Sequence, residues 1–278
     1  HRRNPTHPTP ESRPTRMPVK PEETFTILEH LDELRKRVFW SIVVVTTGII
    51  VAAIFNDQVF NLLLHPLRQV PNLQADSYQI ITLSPVEPFM VSLKVWVIAS
   101  LIATSPFLIY QLWAFVGPAF TSTEKRYFYP VVIATAALFL IGVAFGYLIV
   151  LPKGLTFLLS FGGTTFNVQN RANEYFTFVA LFILAFGAIF EMPVILVLLA
   201  KVGVIDDKFL RRHRRYAIVI NALAAALLTP GQDVFSMILM LIPLLILYEV
   251  SIPLARLVQP KGTGSVGAKD DAKPAGAT

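Results

Sequence analysis

Six apolar stretches, separated by polar connections, follow one another along the chain. We place them at residues 38–55, 95–115, 127–151, 175–200, 216–228 and 234–250. An α-helix needs about 20 mostly apolar residues to cross a hydrocarbon core about 30 Å thick. The pattern therefore predicts an all-α integral membrane protein with six transmembrane helices.

The fifth stretch differs from the others because it is short. Residues 216–228 would give only about 20 Å of helix at about 1.5 Å per residue. We still expect it to cross, because the basic run RRHRRY precedes it and the tight connection TPGQD follows it. The sixth stretch, 234–250, is also on the short side, so we predict short fifth and sixth helices and a locally thinned membrane.

Composition and charge support this class and add an orientation. Hydrophobic residues make up 54% of the 278 positions, charged residues 15%, and the mean hydropathy is +0.58. Of the 24 Lys and Arg residues, 20 lie in the N-terminal region, around Lys125, in residues 201–215 or in the C-terminal tail. Because cytoplasmic segments carry the excess of Lys and Arg, we predict that both termini are cytoplasmic. This asymmetry and contact with anionic membrane lipids account for the net charge of +6, so a nucleic-acid partner is not required.

Both ends of the chain differ in composition from the middle. Residues 1–24 are rich in Pro, Arg and Thr, and residues 259–278 are of low complexity. Neither segment has an apolar core, so we expect two disordered cytoplasmic tails and no signal peptide in the first. The predicted membrane domain covers residues 25–258.

The sequence lacks the residue patterns of the common catalytic and metal sites. It contains no Cys, and its five His residues all lie outside the apolar stretches. No phosphate-binding glycine-rich loop and no nucleophile elbow is present, which argues against ATP-driven transport and against a membrane-embedded hydrolase. We therefore predict a protein that is not an enzyme, with no metal and no cofactor.

One acidic residue lies deep in an apolar stretch. Glu191, in FGAIFEMPV, falls inside the fourth stretch, two residues before Pro193, which we expect to bend the helix. A charged, unpaired carboxylate is costly there, so Glu191 is either a functional group or a neutral acid bonded to a carbonyl freed near Pro193. A proton-coupled small-molecule carrier that uses Glu191 is the alternative function, although the spans offer few other polar groups.

A dense charge cluster, EHLDELRKR, precedes the first apolar stretch. On a helix that starts near residue 25, Glu29 and Glu33 share a face, while the basic residues crowd the end nearest the membrane. Glu124, in TSTEKRYF, would by itself be read as a solvated residue at a helix start. Together, Glu33 and Glu124 would flank a site for a cationic ligand, and a guanidinium is the strongest option because it binds carboxylates through two parallel hydrogen bonds.

Several separated blocks resemble the TatC family, the polytopic subunits of the twin-arginine protein translocase. The resemblance runs from about residue 25 to residue 258. It rests on HLDELRKR, LHPL, SPVEPFMVSLKVW, YQLWAFVGPAF with EKR, FEMPV, LLTPGQDVFSM and LIPLLILYE, in this order.

The resemblance implies a receptor that binds the twin-arginine signal peptides of folded precursor proteins at its cytoplasmic face. In the family, one glutamate before the first span and one in the first cytoplasmic loop recognise the paired arginines, and these positions match Glu33 and Glu124. It also implies five further residues on the same surface: Arg35, Arg37, Phe115, Lys125 and Arg126.

The resemblance further implies partners within the membrane. Small single-span subunits of the TatA and TatB type are expected to dock around the fifth and sixth spans, and export is expected to use the proton motive force. The receptor is expected to self-associate in the plasma membrane of a prokaryote.

The implied site residues within or beyond the membrane form two groups. Partner contacts are expected at Glu191, Asp233 and Met237, and an extracytoplasmic cap formed by loops is expected at Pro66, Pro88 and Phe89. The chain departs from the family pattern in two places: TPGQD lacks a second proline beside the aspartate, and Met237 stands where glutamine is frequent.

Overall fold

The computed structural model describes residues 27–70, 80–116, 128–160, 170–229 and 233–258, and these residues are mainly helical. The helices are α1 (Ile27–Ile54), α2 (Asn56–Arg68), α3 (Glu87–Val116), α4 (Phe128–Phe145), α5 (Leu151–Ser160), α6 (Ala172–Phe190), α7 (Met192–Lys201), α8 (Asp207–Arg212), α9 (Arg214–Leu228) and α10 (Val234–Val258). A π-helical turn at Gly146–Val150 joins α4 to α5. Two short strands, β1 (Ile80–Ile81) and β2 (Asn170–Arg171), pair in parallel, with Ile80 opposite Asn170.

Within the described part of the chain, five helical segments are long and apolar enough to cross a membrane, which confirms the predicted class. They are His30–Ile54, Glu87–Phe115, Phe128–Ser160, Ala172–Lys201 and Val234–Val258. The fifth predicted span corresponds to α9, which has 15 residues and is about 22 Å long at about 1.5 Å per residue. The expectation of a short fifth helix is confirmed, whereas the count of six membrane crossings stays a prediction.

The expectation of a short sixth helix is wrong. Helix α10 continues to Val258 and has 25 residues, enough to cross a bilayer. The predicted stretch stopped at Val250, next to Glu249. In the structure Glu249 accepts a hydrogen bond from Arg214 Nη2 at 2.8 Å, rather than pairing with Arg256, so the charge is matched without ending the helix.

The prolines expected in loops lie in helices instead. Pro66 is buried inside α2, a helix that the sequence analysis did not predict, while Pro88 and Phe89 are exposed in the first turn of α3. Proline has no backbone N–H, so Pro66 leaves the carbonyl of Leu62 without its usual partner in the helix. The hydroxyl of Tyr147 donates to that carbonyl at 2.8 Å, which attaches α2 to the π-helical turn.

The core is centred on α6, which packs closely against α4. Phe182 and Phe186 of α6 are almost completely buried. A Cβ atom built on Gly142 would lie 2.6 Å from the carbonyl oxygen of Phe186, so the two helices approach too closely for any larger residue there. Helix α1 lies at the edge and packs mainly along α3, where Ser100 Oγ donates to the carbonyl of Val45 at 2.7 Å.

The helical bundle has two ends that carry different groups. One pocket is lined by Trp113, Phe128, Lys201 and Val258. The ends of α3, α7 and α10 and the start of α4 therefore meet at one end of the bundle, which we call the Arg37 end. The opposite end, with the starts of α3 and α6, is called the Glu87 end. The first and last described helices, α1 and α10, respectively begin and end at the Arg37 end.

Candidate functional site

A polar and aromatic surface joins α1 to α3 at the Arg37 end. His30, Glu33 and Arg37 follow each other at spacings of three and four residues and share one face of α1. Gln111 and Phe115 are four residues apart on α3. The rings of His30 and Phe115 stack with centroids 4.3 Å apart and planes at 16°. We call these five residues the recognition face.

An ion pair lies at the centre of the recognition face. Arg37 Nε donates to Glu33 Oε1 at 3.2 Å, and Arg37 Nη2 donates to the same oxygen. Arg37 Nη1 donates to Gln111 Oε1 at 3.3 Å, which links α1 to α3. The side chains of Glu33 and Arg37 are 30% and 22% exposed, so both are accessible from the surface.

The structure therefore brings together three of the residues expected at this site: Glu33, Arg37 and Phe115. Arg35 is exposed and makes no ion pair with a described residue. Three expected members, Glu124, Lys125 and Arg126, lie outside the described residues, as does the side chain of Glu29.

Two members of the recognition face, His30 and Gln111, were missed by the sequence analysis. Their signal was the helical spacing: His30 is three residues before Glu33, and Gln111 is four residues before Phe115.

An apolar pocket opens at the same end of the bundle. Its volume is about 640 Å³, and it lies between the end of α3, the start of α4, α7 and the last turn of α10. Trp113, which falls between Gln111 and Phe115 on α3, forms one of its walls. Lys201 is the one charged residue among the described residues that line it. The pocket can receive an apolar chain but offers little to a polar ligand.

Glu191 lies where the fourth predicted span breaks into two helices. Helix α6 ends at Phe190 and α7 begins at Met192, with Pro193 in its first turn, so the expected bend is present. The Oε1 atom of Glu191 is buried and has no hydrogen-bond partner among the described residues. A buried acceptor of this kind is costly, and it suits a donor that arrives from elsewhere.

Asp233 and Met237 lie at the start of α10, at the Glu87 end. Asp233 Oδ1 accepts a hydrogen bond from the backbone N–H of Ser236 at 2.7 Å, as a helix-capping residue does. Asp233 also borders a small apolar hollow beside the stacked rings of Phe157 and Phe235, whose centroids are 3.7 Å apart. Met237 is half-buried against the main core.

A second buried carboxylate, Glu87, bonds the segments that precede α3 and α6 at the Glu87 end. The sequence analysis did not single it out. Glu87 Oε1 accepts hydrogen bonds from Arg171 Nε at 3.0 Å and from the backbone N–H of Asn173 at 3.1 Å. Glu87 Oε2 accepts from the backbone N–H of Leu83 at 2.9 Å. Lys94 Nζ donates to Asn173 Oδ1 at 2.8 Å. We call this arrangement the Glu87 clasp, and it ties α3 to α6 beside the two short strands.

Comparison with known proteins gives one consistent family. Residues 29–243 match the family model described as Sec-independent protein translocase protein (TatC). The TatC of Carboxydothermus hydrogenoformans is 35% identical over 240 residues, which cover 86% of this chain and 96% of the relative. The TatC of Aquifex aeolicus is 40% identical over 238 residues, which cover 84% and 96%.

A solved structure agrees with these relatives. The crystal structure of the twin-arginine translocase receptor TatC superimposes with a TM-score of 0.73 at 40% identity, covering 83% of this chain and 99% of that one. The length of the match and the shared helical fold lead to one conclusion. The chain belongs to the TatC family of Sec-independent protein translocase proteins.

Proposed function

We propose that this protein is the receptor subunit of a twin-arginine translocase and that it binds the twin-arginine signal peptides of folded precursor proteins. Membership of the TatC family and the solved receptor structure support a role in translocation. The signal peptide would bind at the Arg37 end, which we place on the cytoplasmic side together with both termini. The excess of Lys and Arg in the segments at this end supports that orientation.

The observation that carries the proposal is the pairing of Glu33. Its carboxylate accepts two N–H groups of an arginine side chain while remaining 30% exposed. An accessible carboxylate that already pairs with a guanidinium of the protein supports the proposal that it can pair with the guanidinium of a ligand. Glu124, in the neighbouring loop, would supply the second carboxylate for the second arginine, with Arg35, Lys125 and Arg126 around them.

The apolar pocket suits the hydrophobic stretch that follows the arginines of such a signal. The pocket shares α3 with the recognition face, since Trp113 lines it and Phe115 stacks on His30. Burial of apolar side chains there would add affinity without selecting a sequence. Arginine recognition would then provide the specificity.

The remaining expected sites would bind translocase partners. Single-span subunits of the TatA and TatB type would dock within the membrane, where the unpartnered Glu191 oxygen can accept a hydrogen bond. Asp233 and Met237 would contact them at the Glu87 end, and export would use the proton motive force. The relatives give no support to a small-molecule carrier built on Glu191.

Binding of a synthetic twin-arginine signal peptide to the purified protein in lipid nanodiscs tests the recognition site. We expect Glu33→Gln and Glu124→Gln each to weaken binding by about tenfold or more, since each removes a charge-assisted hydrogen-bond acceptor. A twin-lysine peptide should lose a similar factor against the unchanged protein.

Asp32→Asn is the matched control, because Asp32 is exposed on the same helix and makes no ion pair with a described residue. It should bind the twin-arginine peptide nearly as the unchanged protein does. Equal binding by all three variants and by the twin-lysine peptide would show that these carboxylates are ordinary surface charges.

A further inference from the structure

The carboxylate proposed to bind the ligand is already bound by an arginine of the protein itself. Arg37 uses Nε and Nη2 on one oxygen of Glu33 and uses Nη1 on Gln111. Glu33 Oε2 accepts no hydrogen bond from a described residue. In the protein without ligand, one of the two Glu33 oxygens is therefore already occupied. The group that occupies it is a guanidinium, the same group that a ligand arginine would bring.

Binding of a ligand arginine then becomes an exchange. An incoming guanidinium needs both oxygens of Glu33 for two parallel hydrogen bonds, and Arg37 already takes one of them. Displacing Arg37 costs part of what the ligand gains at Glu33, so the exchange lowers the net affinity that Glu33 contributes without abolishing it. A lysine has a compact ammonium without the planar pair of donors, and it replaces Arg37 less well.

Gln111 determines how firmly Arg37 is held. Its amide oxygen lies on a different helix from Glu33, so the Arg37 side chain spans α1 and α3. An isolated Glu–Arg pair at this spacing on a helix contributes little by itself. The additional bond from α3 fixes the guanidinium in its position on Glu33.

We propose that Arg37 is an internal competitor for Glu33 and that Gln111, by holding Arg37 in place, sets the strength of this competition. Gln111 is thus a specificity-determining residue that acts through Arg37. The competition raises the threshold for binding, so that a paired arginine displaces Arg37 and a paired lysine does not. This inference rests on the proposed function of the site.

The test compares twin-arginine and twin-lysine peptides on four forms of the full chain in nanodiscs: unchanged, Gln111→Leu, Arg37→Gln and Lys36→Gln. We expect Gln111→Leu to bind the twin-arginine peptide about threefold to tenfold more tightly, because Arg37 is released more easily. Arg37→Gln should bind both peptides more tightly by at least a similar factor, so that the twin-lysine peptide binds at concentrations at which the unchanged protein does not bind it.

Lys36→Gln controls for charge, because Lys36 is exposed beside Arg37 and forms no ion pair with a described residue. It should change the affinity for both peptides by the same small factor. A matching change in Arg37→Gln and Lys36→Gln would reduce the effect to net charge and overturn the inference.

The remaining outcomes separate this inference from the proposed function. Weaker twin-arginine binding by both Gln111→Leu and Arg37→Gln would mean that Arg37 supports Glu33 instead of competing for it. The proposed function would then survive and the inference would not. If no form bound the twin-arginine peptide, the proposed function would fail together with the inference.

Discussion

Two carboxylates in this protein have similar partners but different surroundings. Glu33 and Glu87 each accept hydrogen bonds from an arginine. The Glu33 side chain is 30% exposed and has one oxygen that no described residue bonds, whereas the Glu87 side chain is 5% exposed and uses both oxygens. A fully bonded, buried carboxylate suits a structural role, and a half-bonded, accessible one suits exchange with a ligand.

Replacement of Glu87 should destabilise the protein. In Glu87→Gln the amide nitrogen would face a donor that the carboxylate now accepts from, and the charge opposite Arg171 would be lost. We expect the unfolding temperature in detergent to fall by several degrees. The control is Glu174→Gln, because Glu174 is 74% exposed and lies 3.8 Å from the same arginine. Equal unfolding temperatures for the two variants would contradict a structural role for the Glu87 clasp.

At the level of helices, two internal prolines, Pro66 and Pro106, are matched by hydroxyl groups that bind the freed carbonyls. Pro106 of α3 leaves the carbonyl of Ile102 without an amide donor, and Ser105 Oγ donates to it at 2.8 Å. In α2, Tyr147 serves the carbonyl freed by Pro66 in the same way. The second case also joins two elements that are distant in sequence.

A double-mutant cycle tests this relation between Pro66 and Tyr147. Tyr147→Phe should lower the free energy of unfolding by about 1 kcal/mol, since the Leu62 carbonyl loses its donor. In a Pro66→Ala background the restored backbone N–H can serve that carbonyl, so the same change should cost less, with a coupling of about 1 kcal/mol.

Tyr129→Phe is the control for this cycle, because Tyr129 is exposed and its hydroxyl has no described hydrogen bond. It should have little effect in either background. An equal cost of Tyr147→Phe in both backgrounds would show that Pro66 and Tyr147 act independently.

The sequence predicted the apolar helices well, because burial in lipid leaves a long hydropathy signal. Helices α2 and α8 escaped prediction since they are short and mixed in polarity. Part of the recognition face could be predicted, because the acids of HLDELRKR are unusual before a membrane span. The presence of His30 and Gln111 on this face could not, because it depends on how α1 packs on α3. Glu87 could not be found from the sequence, because two of its three donors come from residues that follow it by more than 80 positions.

On the scale of the whole molecule, the helices differ in length. Helix α9 is about 22 Å long, while α10 beside it has 25 residues. Leu223 and Leu227 of α9 are largely exposed, as lipid-facing residues would be. A bilayer that matches α10 is too thick for α9, so the lipid on the α9 side should become thinner.

The dependence of stability on bilayer thickness tests this expectation. We expect the unfolding temperature in vesicles to be higher with short-chain than with long-chain phosphatidylcholines. Insertion of four apolar residues after Leu223 adds about 6 Å and nearly preserves the helix face, and it should move the optimum to longer chains. The same insertion after Gly262, beyond the last helix, should leave the optimum unchanged. An optimum that is the same for all three proteins would contradict the thinning.

The length of α3 joins the two ends of the helical bundle in one element. Of the described helices, only α3 supplies side chains to both the recognition face and the Glu87 clasp: Gln111 and Phe115 to the first, and Glu87 to the second. Its 30 residues extend about 45 Å. A peptide that shifts α1 against α3 therefore acts on the same covalently continuous rod that anchors the opposite connections. Under the proposed function, binding of cargo at the recognition face and any response at the opposite end would thus involve one and the same helix.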